Sequence, residues 1–280
     1  MKKHVILLTV VMLFTTNTFA QLLYKIEGKN LSSVSYIYGT IHVMPKKDFE
    51  ISKSIQSSFN ACQVLAMEVD LNMDFKTQLE AAQQSFLPEG KTIADLASAD
   101  DVNKVKQFCI DSMHWKESKY EKMSRLKPFF LSSVILQELI GKSKSFEKEF
   151  NNLAKKKKMT TIGLETLQFQ MNMVNTVSNE EQMKMLLQGL STNNSEFNKM
   201  LAAYLRQDLT GLGNLMNDAE LSPEFNENLL LQRNRNWIPI ISKLISKKPT
   251  FIAVGAGHLP GEKGVLNLLR EAGYTVTPVN

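Results

Sequence analysis

Two segments, one near each end of the chain, finish an apolar run in the same manner. Residues 36–45 read YIYGTIHVMP and residues 251–261 read FIAVGAGHLPG. Each is a short stretch of strand character closed by a glycine, two further residues, a histidine and then a proline. The repeated G-x-x-H, Gly39 to His42 and Gly255 to His258, constrains the fold more than any other feature. In α/β sheets ligands collect beyond the carboxyl ends of strands, so two such ends can bring His42 and His258 together. Gly39 and Gly255 would let the backbone turn sharply and come close to a ligand.

The rest of the pattern supplies the sheet. Residues 22–26 and 33–41 read as a β-hairpin across Gly28. A short helix over residues 52–60 carries Ile51, Ile55 and Phe59 at helical spacing. QVLAMEVD (63–70) and MTTIGL (159–164) read as buried strands that end in acid. Residues 73–153 and 179–247 are helical in pattern. Val102, Val105, Phe108 and Cys109 share one face there, and Pro128 stands at a first helical position. LSPEF (221–225) restarts the second block with Ser222 as cap and Pro223 behind it. A strand at 251–254, a helix at 264–272 and a strand at 274–279 complete the chain. The expected fold is α/β, a mixed β-sheet with a mainly α-helical insertion in a single compact domain. Methionines at helical spacing read as core filler.

Two strand ends offer carboxylates, Glu68 and Glu165, which are costly to desolvate unless paired or bound to a cation. Asp70 shares a sheet face with Glu68 by alternation and could substitute for it. Two neutral imidazoles with one or two carboxylates suit Zn²⁺, Mn²⁺, Co²⁺ or Fe²⁺. With an open coordination position, such an ion acidifies a water, and a carboxylate not used as a ligand can take the proton. Salt-bridging or capping is the plain alternative for both glutamates. In ENLLLQRNRNWIPII the apolar stripe runs through Leu230, Trp237, Ile241 and Leu244. At 100° per residue Arg233 and Asn234 fall near that stripe, while Arg235 points away. Arg233 therefore either pairs with a buried carboxylate and supports an oxyanion, or snorkels at the helix edge. His114, in DSMHWKE, reads as a surface residue.

Residues 1–20 have a charged start, a short apolar run and a small-residue end, as in a secretory signal peptide. Its removal would leave residues 21–280, with no later stretch apolar enough to span a membrane. It would also take the formal charge from +5 to +3, too little to imply an anionic partner. The KKKK run at 155–158 reads as a solvated helix end. Cys62 and Cys109 could pair in an exported protein or stay free and buried. The lack of a basic stripe with interleaved aromatics argues against nucleic-acid binding. No G-x-S-x-G elbow suggests a serine hydrolase.

YGTIHVMP, LAMEVD, GLETLQFQM, QRN and VGAGHLPGEKGVLNLLREAGYTV, in that order, resemble the TraB/GumN/PrgY/Tiki family. The resemblance spans essentially everything after residue 20. It implies a metal-dependent peptidase of the Tiki kind, with Mn, Co or Zn as the metal. His42 and His258 take the family's histidine roles, Glu68 and Glu165 the glutamate roles, and Arg233 with Asn234 the R-N pair. The family also contains pheromone-shutdown and polysaccharide-cluster proteins. One departure is Ser145-Phe146-Glu147, where the family has Gly-x-Asp opening a helix. The expectation is an exported, periplasmic or extracellular metal-dependent hydrolase acting on peptides or protein segments. Gly39, Gly255 and Asn234 would line the metal site, and Glu68, Glu165 and Arg233 would serve catalysis. The alternatives are a non-catalytic protein that binds a peptide or signal molecule in the same cleft, and a hydrolase of esters or sugar-linked groups.

Overall fold

The structure is a computed structural model that describes residues 21–192, 195–218 and 227–279. The signal peptide expected over residues 1–20 and the helix restart expected at Ser222 and Pro223 lie outside them. Among the described residues there are eight strands: β1 (Leu23–Glu27), β2 (Ser35–Thr40), β3 (Met44–Pro45), β4 (Val64–Val69), β5 (Ser143–Lys144), β6 (Thr160–Glu165), β7 (Thr250–Gly255) and β8 (Thr275–Pro278). Six of them form one mixed sheet in the order β6-β4-β7-β2-β1-β8, and β3 pairs with β5 in a small separate ribbon.

The sheet's four parallel strands carry the argument. β6, β4, β7 and β2 all run the same way, so their carboxyl ends share one edge. Thr40 lies opposite Gly255, and Val69 opposite Glu165, which keeps those ends level. β1 returns antiparallel to β2, and β8 antiparallel to β1, closing the far side. Strands buried on both faces are continuously apolar, and β7 shows this from Phe251 to Val254, each fully buried. At about 1.5–3 kcal/mol for each large apolar side chain buried, the sheet core can offset the cost of desolvated charges at its edge.

Most elements fall where the pattern puts them. Ser52 caps helix Lys53–Asn60 by accepting from the Ile55 N–H. Pro128 opens helix Pro128–Ile140. Ser145 caps helix Phe146–Lys157, which ends in its lysines with Lys158 left-handed. One element departs from the expectation. The chain turns helical directly after β6, over Leu167–Asn175, rather than only from residue 179. Gln168, Gln170 and Asn172 break its apolar period, and the Thr166 side chain caps it through the Phe169 N–H.

The helical part has its own core. Val105, Cys109, Leu131, Ile135, Met183 and Leu186 pack together away from the sheet. Cys62 belongs instead to the sheet core, and both thiols are free, so the disulfide alternative is overturned. Met171, Met173 and Met183, all on helices, are core filler as read. Among the described residues no helix is long and apolar enough to cross a membrane.

Candidate metal centre

The four strand ends meet side by side. Reading across the edge, β6 brings Glu165, β4 brings Glu68, the turn after β7 brings His258, and the turn after β2 brings His42. Glu68 is the hub. Its Oε1 lies 3.9 Å from His42 Nε2 and 3.8 Å from His258 Nε2, and accepts from the Gly255 N–H at 2.8 Å.

The two glycines act by close approach, not by a left-handed turn. Gly255 sits at φ −53°, and neither glycine is among those with positive φ. A Cβ on Gly255 would lie 3.1 Å from Glu68 Oε1, 3.5 Å from His42 Nε2 and 3.6 Å from His258 Cδ2. A Cβ on Gly39 would come within 2.8 Å of Leu259 Cδ1. The first G-x-x-H is further clamped by Tyr204, whose hydroxyl donates to the Gly39 carbonyl at 3.0 Å.

Arg233 joins both glutamates, so the snorkelling alternative is set aside. Its Nε donates to Glu165 Oε1 and Oε2 at 3.0 and 3.1 Å, and its Nη2 reaches both Glu68 Oε2 and Glu165 Oε1. Gln170 Nε2 adds a bond to Glu165 Oε1 at 2.8 Å and a longer one to Glu68 Oε2 at 3.3 Å. Trp237 Nε1 donates to Glu165 Oε2 at 3.0 Å. Both Glu165 oxygens are thus engaged on its own side, away from the imidazoles. Arg235 faces outward to Glu227, as the helix geometry requires.

Each imidazole has its second nitrogen held. His258 Nδ1 lies 2.6 Å from Asn234 Oδ1, and its ring packs on Trp237 at 4.5 Å between centroids. Burial pushes its pKa far down, to about 3, and the ring is neutral. His42 Nδ1 lies 3.0 Å from Glu147 Oε1, a carboxylate also bonded by Thr40 and Ser145. That bond raises the His42 pKa, and Glu68 assists. Burial works to raise the Glu68 pKa, but His42, Arg233 and the Gly255 N–H outweigh it and hold the group ionised. With His258 neutral and the His42–Glu147 pair balanced, Glu68, Glu165 and Arg233 leave one negative charge uncompensated.

Asp70 does not join the cluster. Its carboxylate accepts from the Asn72 backbone N–H and from Thr161. His114 is exposed in the turn after the Phe108–Ser112 π-helix. Sequence reasoning missed Gln170 and the Trp237 N–H as partners of Glu165, and met Glu147 only as a departure from a family pattern. The usable signals were the Ser145 cap that sets Glu147 in a first helical turn, and the Thr166 cap that does the same for Gln170.

The model of the TraB/PrgY/gumN family matches residues 22–278. The chain belongs to the TraB/PrgY/gumN family. No curated protein and no solved structure matches it. Within this TraB/PrgY/gumN chain, both G-x-x-H motifs, both strand-end glutamates and the R-N pair converge on one edge of the sheet. Among the described residues no three His, Cys, Asp or Glu side chains form a ready metal-holding group. Two spacings within the donor set are nevertheless of the size that one ion would need. Ligands about 2.0–2.2 Å from a metal stand roughly 3–4 Å from each other, close to the two spacings on Glu68 Oε1. His42, His258 and Glu68 are the side chains that could hold it.

Proposed function

We propose that this protein is an exported metal-dependent hydrolase, with peptides or extended protein segments as the favoured substrates. The observation that carries the reading is the convergence of two imidazole Nε2 atoms on one carboxylate oxygen. His42, His258 and Glu68 would hold Mn²⁺, Co²⁺ or Zn²⁺. When bound, the ion supplies Lewis acidity and a water acidified toward neutral pH. The chain's own groups do the rest. The uncompensated negative charge favours a cation. Arg233, fixed by Glu165 from one side, presents donors to an oxygen that gains charge. Glu165 is the carboxylate not used as a ligand, and it would accept a proton only by giving up one of its bonds from Arg233, Gln170 or Trp237. Export to the periplasm or outside the cell follows from the signal-like residues 1–20.

The test is to load purified protein with Mn²⁺, Co²⁺ or Zn²⁺, then measure bound metal and cleavage of a peptide library. His42→Ala should lose metal and activity. Glu165→Gln should keep most of the metal and lose activity by about 10²–10⁴-fold, the range of a general base. Full retention of both properties in both variants ends this reading. A second reading, a protein that binds a peptide or signal molecule without turnover, is favoured by Arg233, which already neutralises a carboxylate without any ion. It expects tight binding that chelators leave unchanged.

A further inference from the structure

We infer that Asn234 is a positioning residue that fixes which nitrogen of His258 carries the proton, and so keeps Nε2 bare and aimed at Glu68. The inference deepens the metal reading above and rests on it for its use, though not for its geometry.

Two contacts define the tautomer from opposite ends of the ring. Asn234 Nδ2 donates to the Lys263 carbonyl at 2.9 Å. Turning the amide over would set oxygen against oxygen there, so Oδ1 is the atom that faces His258. An acceptor at 2.6 Å from Nδ1 requires a proton on Nδ1. At the other end, Arg233 Nη1 lies 3.3 Å from Nε2. A guanidinium can only donate, so Nε2 must present its lone pair. The ring is also buried, its side chain 6% exposed, so water does not supply a competing partner.

The amide has work to do because Glu68 competes for the same proton. Its Oε1 lies 3.8 Å from Nε2. Without an acceptor at Nδ1, only Arg233 Nη1 would still hold the Nε2 lone pair, and that carboxylate could draw the proton to Nε2. A proton on Nε2 would then cap the lone pair that a metal needs. Asn234 does not touch the ion's place. It acts through His258, as carboxylates and carbonyls do behind other metal-binding histidines. A neutral amide does this without adding a further negative charge behind an already anionic cluster.

The experiment uses the full chain labelled with ¹⁵N in its histidine rings, stripped of metal and held near neutral pH. Two-bond ¹⁵N–¹H correlations report the protonated nitrogen of each ring, and His258→Gln identifies the His258 signals. The expected wild-type pattern is a proton on Nδ1 and a bare Nε2. Asn234→Asp, which keeps an acceptor, should keep that pattern. Asn234→Ala should move the proton to Nε2 and weaken Mn²⁺ binding, followed by the spectrum of free Mn²⁺, by about 10–100-fold. A wild-type ring protonated at Nε2 overturns the inference, and this spectrum decides even if Asn234→Ala does not fold. An unchanged tautomer with unchanged Mn²⁺ affinity in Asn234→Ala overturns it too. An Nδ1–H ring in a protein that takes up no Mn²⁺ supports the inference and counts against the hydrolase reading instead.

Discussion

His42 and His258 close the same tetrapeptide, yet they live in opposite surroundings. The His258 side chain is 6% exposed and packs on Trp237, with a neutral amide behind it. The His42 side chain is 65% exposed, with a carboxylate behind it. One ring is pressed toward neutrality and the other toward a cation, although both face the same oxygen of Glu68. The difference comes from the neighbours. β7 is a central strand, and helix Gln232–Ile245 lies over its end with Arg233, Asn234 and Trp237. The turn after β2 opens toward the small β3–β5 ribbon and solvent. The buried half is built to hold a fixed geometry. The open half is the one that solvent reaches.

The comparison breaks or sharpens under three measurements. The largest effect belongs to Arg233→Met, which leaves Glu68 and Glu165 desolvated without their shared cation. Urea unfolding should show a loss of about 3–5 kcal/mol, and a loss below about 1 kcal/mol would mean that the buried half does not depend on this ion cluster. Next come the histidines themselves. His258→Gln should cost about 1–3 kcal/mol through the orphaned Asn234 carbonyl and lost packing, whereas exposed His42→Gln should cost less than about 1 kcal/mol. Equal losses would erase the distinction.

The smallest effect is in the pH profile of metal-free protein. His258 folds neutral with its pKa pushed down to about 3, so its contribution is present above about 6.5 and is lost as pH falls below that. Glu68, also held down, adds to the loss below about pH 4.5. His42 is raised to about 9, so its contribution is present below about 6.5 and fades as pH climbs toward 9. The alkaline arm should be the shallower, because solvent screens an exposed ring. His258→Gln should flatten the acid arm and His42→Gln the alkaline one. The opposite assignment would invert the comparison.

The sheet was largely legible because its strands are short apolar runs with acid or glycine at their ends, and such runs have few other readings. Ser52 and Pro128 mark helix starts by local chemistry alone. The helix Leu167–Asn175 escaped because Gln170 faces the two carboxylates, and a polar residue placed for the site spoils the apolar period. Arg233 was legible through helix phase, since an arginine near a core stripe needs a partner. Which carboxylate it would choose was not, because strand order decides that, and β6 beside β4 gives it both. Gly39 and Gly255 were rightly singled out for close approach, and neither turns through positive φ. A Cβ at either would press on its neighbours, Leu259 and Ala256 at Gly39 and Glu68 at Gly255.

At residue 255 the missing side chain leaves a narrow passage in the centre. Through it the backbone amide reaches Glu68 and the two rings see the same oxygen. A methyl there would press to 3.1 Å from Glu68 Oε1 and oblige that carboxylate to shift, with every charged and polar side chain still present. A position with no functional group of its own thus helps set the spacing of the charged groups around it.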